Sequence, residues 1–140
     1  MTARRILVVD DEPEVREIVS TILRLAGYQI GGAEEGEEAL RHLAAQPFDM
    51  MITDLLMPDK DGVETIRDVR KRYPGIKIVA MSGGGHVAKE SYLKMAQLFG
   101  ADAVLAKPFT REELLRTVAA VLDADSSRGA SAATPASPQL

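Results

Sequence analysis

The chain predicts an α/β fold, a five-stranded parallel sheet with helices wound on both faces. Three observations carry that expectation. Short apolar runs alternate five times with stretches of helical periodicity. The first, third and fourth runs are apolar throughout, not at every other residue, as in strands covered on both sides. Right-handed crossovers then join the strands with the fewest assumptions.

The predicted strands are "RILVVD" (5–10), "YQIGGA" (28–33), "MMIT" (50–53), "IKIVAM" (76–81) and "AVLA" (103–106). The second, with Gln29 and two glycines, suits a poorly packed or edge position. Between strands one and two, Val15, Ile18, Val19, Ile22 and Leu23 trace one helical stripe, with Pro13 in the first turn and Gly27 as the stop. Ala39, Leu40, Leu43 and Ala44 make the second stripe, and Glu34, Glu35, Glu37 and Glu38 before it read as a solvated helix start. Val63, Ile66, Val69 and Tyr73 make the third; Val87, Leu93, Ala96 and Phe99 make a looser fourth. Thr110 and Glu113 form a capping box for the fifth, which carries Leu114, Leu115, Val118, Val121 and Leu122.

At 140 residues one domain is expected, placed at residues 1–123. Residues 124–140 are rich in Ala, Ser and Pro and bury too little to offset ordering entropy, so a disordered tail is expected there. The net charge of −4 argues against a generic grip on nucleic acid. The absence of cysteine removes disulfides, thiolate metal sites and thiol nucleophiles. The apolar run after Arg4 and Arg5 is too short for a signal-peptide core or membrane span, so the expected location is cytoplasmic.

Polar residues fall at the carboxyl ends of the strands: Asp10 and Asp11 after the first, Asp54 after the third, Ser82 after the fourth, Lys107 after the fifth. In a parallel sheet those ends share one edge, where open sheets bind ligands. Three aspartates there repel one another unless some take up protons or a cation sits among them. With no cysteine or nearby histidine the ligands are hard oxygens, favouring Mg²⁺ (or Mn²⁺) over zinc. A carboxylate can attack phosphorus to form an acyl phosphate, and such a site needs charge neutralisation more than a base. Lys107 offers a fixed cation and Ser82 a hydroxyl donor.

The segments "ILVVDDEP" (6–13), "DLLMPDKDG" (54–62), "MSG" (81–83) and "GADAVLAKPF" (100–109) resemble the CheY-like response-regulator receiver domain of two-component signalling, over roughly residues 4–122. The resemblance implies a flavodoxin-like (βα)5 fold with strand order 2-1-3-4-5. It implies that Asp54 accepts a phosphoryl group from a sensor histidine kinase or histidine phosphotransfer protein. It implies Mg²⁺ held by Asp11, Asp54 and the backbone carbonyl of Leu56, with Asp10 acting mainly through a bound water. Lys107 pairs with the phosphate, Ser82 is the switch hydroxyl, and Lys107–Pro108 is a cis peptide. The expected protein is a stand-alone regulator, a monomer or phosphorylation-dependent dimer. It would act on a downstream protein through the face of the fourth and fifth helices and the fifth strand. It catalyses only its own aspartyl phosphorylation and dephosphorylation.

The chain departs from that family in three places. Val104 stands where many relatives carry a switch aromatic, Ser82 replaces the more frequent threonine, and Gly83–Gly85 makes the following loop glycine-rich, which favours a mobile switch loop over the alternative of a backbone nest that helps hold an anion. Blander readings exist beside these. Asp10 and Asp11 could cap the helix at Pro13, "PDKDG" is a turn with Gly62 free to take an unusual angle, and His42 and His86 are surface residues without a partner pattern. Two other functions compete. A phosphatase with an aspartate nucleophile usually carries a second aspartate two residues on, where this chain has Leu56. A phosphate-independent pseudo-receiver would not need all five polar positions.

Overall fold

The computed structural model describes residues 4–55, 62–82, 94, 98 and 100–130. The elements are β1 (Arg5–Val9), α1 (Pro13–Leu25), β2 (Gln29–Ala33), α2 (Gly36–Ala45), β3 (Met50–Asp54), α3 (Gly62–Arg72), β4 (Lys77–Ser82), β5 (Ala103–Ala106) and α4 (Arg111–Ala130). All strand pairs are parallel, in the order β2-β1-β3-β4-β5. The fourth stripe (Val87, Leu93, Ala96 and Phe99) and the Gly83–Gly85 loop lie outside the described residues, and α4 is the fifth helix of the sequence reading.

Strand residues alternate between two cores. Leu7, Val9, Met51 and Ile78 face Leu40 and Leu43 of α2 and Ile66 and Val69 of α3. Ile6, Val8, Met50, Ile52, Val79 and Met81 face Val19 and Leu23 of α1 and Leu114, Val118 and Leu122 of α4. The period of two along a strand therefore feeds both layers, which is why the central runs carry no polar alternation. Each such side chain contributes about 1.5–3 kcal/mol of burial.

Local chemistry sets the helix ends. Pro13 opens α1, and Gly27 closes it with φ of 102°, its N–H donating to Arg24 O at 2.9 Å. Glu35 caps α2 by accepting from the Glu37 amide at 2.7 Å, and Glu38 reaches back to the Glu34 amide at 2.8 Å. His42 lies 3.5 Å from Glu38, so it has a partner the sequence did not suggest. The capping box before α4 is formed in both directions, Glu113 N–H to Thr110 Oγ1 at 3.0 Å and Thr110 N–H to Glu113 Oε1 at 2.8 Å. That helix continues to Ala130, past the boundary expected near 123. No proline interrupts it before residue 135, and once nucleated a helix propagates one hydrogen bond per residue.

Two expectations are corrected. Ile18, placed in the α1 stripe, is 58% exposed; only Val19, Ser20 and Leu23 of α1 are buried, so the stripe is narrower than its spacing implied. Gly62 is required for proximity, not for a positive φ. Its N–H donates to Leu55 O at 3.0 Å, and a Cβ there would overlap the Asp54 carbonyl oxygen and lie 2.6 Å from Leu55 Cα.

At the amino edge, Arg70 of α3 acts as a rivet. Its guanidinium donates to Gly100 O (2.6 and 3.1 Å), Pro74 O (2.8 Å), Ile76 O (2.7 Å) and Asp102 Oδ2 (3.1 Å). Asp102 Oδ2 also accepts the Ile78 amide at 2.8 Å. The weak strand β2 does lie at the sheet edge, and Gly31 leaves room for the Phe48 ring, which a Cβ would meet at 3.1 Å. No described helix is long and apolar enough to cross a membrane.

Candidate functional site

The parallel register brings the polar strand ends together. Asp54, the last residue of β3, pairs with Met81, so Ser82 stands one position beyond it on β4. Asp10 follows β1, its N–H donating to Ala33 O at 3.1 Å, and Lys107 follows β5, its N–H donating to Ser82 O at 2.8 Å. Asp10, Asp54 and Ser82 are buried, at 0%, 6% and 4% exposure. Carboxylate oxygens of Asp10, Asp11 and Asp54 lie within 4.8 Å of one another, Asp11 being the member open to solvent.

Lys107 brings a cation to the site. Its Nζ sits 3.2 Å from Oδ2 of Asp10 and 3.2 Å from Oδ2 of Asp54. Burial alone would lower its pKa, but the carboxylates of Asp54 and Asp10 outweigh burial and the net shift is upward. It is a fixed positive charge at neutral pH. The Lys107–Pro108 peptide is cis, as the resemblance implied.

Each carboxylate is held differently. Asp10 Oδ1 accepts the Glu12 amide at 2.9 Å, so Asp10 does brace the turn ahead of α1 while its other oxygen meets Lys107. Arg16 Nη1 donates to the Asp10 carbonyl oxygen at 2.7 Å. Sequence reasoning missed Arg16, because a main-chain acceptor leaves no pattern in the residues. It also missed an apolar groove beside the site, lined by Val15, Ile18, Val19, Pro108 and Phe109 with Lys107 at its edge. The signal there was the exposed half of the α1 stripe. Val104 is half-buried and packs against the α2–α3 core layer, while Leu56 lies outside the described residues.

Among the described residues the arrangement offers hard oxygen donors, one ammonium and one hydroxyl at a single rim. It has no sulfur and no imidazole among the three clustered acids. That donor set fits a small divalent cation such as Mg²⁺.

Comparison with known proteins agrees with this geometry. The family model described as response regulator receiver domain matches residues 6–119. Response regulator MprA of Mycolicibacterium vanbaalenii is 38% identical over 119 residues, covering 84% of this chain and 50% of that protein. The CAI-1 autoinducer sensor kinase/phosphatase CqsS of Vibrio cholerae is 34% identical over 120 residues, 84% of this chain and 17% of that protein. The chain thus spans half or less of the length of these curated relatives. Among solved structures, chemotaxis protein CheY4 of Vibrio cholerae superposes with a TM-score of 0.79 at 33% identity, covering 86% of this chain and 99% of that one. A CheY-like receiver domain protein of Methanospirillum hungatei gives 0.82 at 28% identity, covering 91% and 99%. The chain belongs to the response-regulator receiver domain family of two-component signalling.

Proposed function

We propose that Asp54 accepts a phosphoryl group from a phosphohistidine of a sensor kinase or phosphotransfer protein, in a reaction that requires Mg²⁺. The observation that carries this reading is Lys107 Nζ 3.2 Å from Asp54 at a rim where three carboxylates cluster. Asp10, Asp11 and Asp54 would hold the ion, joined by the backbone carbonyl of Leu56. When bound, Mg²⁺ supplies positive charge that offsets the carboxylates and the phosphoryl oxygens. The chain's own groups do the rest. An Asp54 oxygen forms the O–P bond as the donor's P–N bond breaks, and the electron pair returns to the donor imidazole. Lys107 draws the phosphoryl oxygens, and the Ser82 hydroxyl donates to one of them.

Ser82 O already holds the Lys107 amide, so movement of Ser82 carries directly into the segment after β5. Val104, small where an aromatic is common, leaves that signal to the serine. The output is altered affinity of the face containing β5 and α4 for a protein target. The groove of Val15, Ile18 and Phe109 adjoins the phosphoacceptor and suits the apolar flank of a donor helix. The domain turns over only its own acyl phosphate, and we place it in the cytoplasm.

Incubation with acetyl phosphate and Mg²⁺, read by intact mass and peptide mapping, should place one phosphoryl group on Asp54. The substitution Asp54→Asn should abolish it. Undiminished labelling of that variant would remove Asp54 from the role.

A further inference from the structure

We propose that Arg16, by holding the carbonyl oxygen of Asp10, sets the direction of the Asp11 carboxylate and is a positioning residue for the divalent-cation site. This rests on the cation reading given under Proposed function. Arg16 lies in the first turns of α1, half-buried, with Nη1 2.7 Å from the Asp10 oxygen. A guanidinium bond of that length is charge-assisted and stronger than a neutral one. The stem of Arg16 crosses the end of β2, its Cδ 3.6 Å from where a Cβ on Gly32 would sit. The side chain is therefore laid along a packed path.

Asp10 hardly needs this help. Its amide is bound to Ala33, one carboxylate oxygen to the Glu12 amide and the other to Lys107. Asp11 is different. It belongs to the acidic cluster, yet no side-chain partner holds its carboxylate among the described residues. Among the described residues its direction comes from its backbone alone. The Asp10 carbonyl and the Asp11 amide share one rigid peptide plane. A bond that fixes the oxygen therefore fixes the plane from which the Asp11 side chain departs. Without Arg16 that plane can rock, and the Asp11 carboxylate swings with it.

Charge and position make opposite predictions. Arg16 is a cation near a cation site, so if it acted through its field, removing it would tighten Mg²⁺ binding. If it acts through the peptide plane, removing it weakens binding. A role confined to bracing α1 would lower stability and leave affinity unchanged.

The test is Mg²⁺ titration of the full chain followed by backbone amide NMR shifts, for the wild type and for Arg16→Met, which keeps the stem and loses the donor. The expected result is a Kd for Mg²⁺ raised about tenfold, as for other groups that orient metal ligands, with a shifted Asp11 amide before any metal is added. Arg16→Lys, which retains a donor, should recover most of the affinity. Phosphorylation by acetyl phosphate should slow at low Mg²⁺ and recover at saturation. If Arg16→Met does not fold, Arg16→Leu, which also lacks a donor, is titrated in its place. Equal or tighter Mg²⁺ binding by the donorless variant, beside a wild type that binds, overturns the role of Arg16 alone. A wild type whose amides ignore Mg²⁺ overturns the cation reading, and this proposal with it.

Discussion

Lys107 Nζ lies 3.2 Å from Oδ2 of Asp54, a residue 53 positions away in the chain. The same ammonium lies 3.2 Å from Oδ2 of Asp10, so one cation is divided between two buried carboxylates. Neither carboxylate is an ordinary surface acid, and that ammonium offsets part of the cost of burying both.

Replacing the ammonium should therefore expose the repulsion it offsets. Lys107→Met is expected to lose about 3 kcal/mol in metal-free urea unfolding, the cost of stranding one side of a buried ion pair. Adding Asp10→Asn to it should restore part of the loss. Phosphorylation should fall in Lys107→Met while Mg²⁺ binding persists. A single variant as stable as wild type would show that the pair contributes nothing.

Gly62 gives a second prediction, from contact instead of charge. A side chain there meets the main chain of Asp54 and Leu55, which cannot rotate away. Gly62→Ala should lose about 1–3 kcal/mol by overpacking and should also slow phosphorylation, because the displaced backbone carries the acceptor. Gly27→Ala, whose Cβ would meet nothing, should cost about 1–2 kcal/mol from its backbone angle alone. It should leave phosphorylation unchanged. Urea melts and acetyl-phosphate kinetics on the two variants separate these effects.

Much of this was readable in the residues, and what was not shares a physical cause. The five strands, their polar ends and the Thr110–Glu113 capping box follow from periodicity and side-chain type, which are properties of the sequence itself. Gly62 was read as a turn glycine because proximity between two backbones leaves no trace in composition. Ile18 was assigned to the core because helical spacing fixes direction, but not how far the neighbouring elements reach. Arg16 escaped notice because its acceptor is a peptide oxygen, which every residue carries.

The exposure of Ile18 supplies a third prediction. Ile18→Glu should fold normally, since the side chain is 58% exposed. Acetyl phosphate should label it at the wild-type rate, whereas transfer from a phosphorylated kinase should fall about tenfold, the loss of about 1.4 kcal/mol of docking energy. Equal transfer from the kinase would assign the groove some other use.

The start of α2 should be sensitive to acid. Glu38 titrates below the ordinary glutamate range, first because it accepts the Glu34 amide; burial opposes this and His42 assists it. A depressed carboxyl stabilises the fold above its unfolded pKa, about 4.3, and that contribution disappears as pH falls through the lower folded value. NMR titration should find the depressed midpoint, and Glu38→Gln should flatten the acid limb of the stability curve over that interval. A midpoint at the ordinary glutamate value would contradict the hydrogen bond.

The rivet at Arg70 has a mechanical consequence. It binds the end of α3, the turn before β4 and the approach to β5 at the margin opposite the acidic rim. With that margin fastened, the end of α3 and the amino ends of β4 and β5 are held to one another, as the root of a beam is held in its clamp.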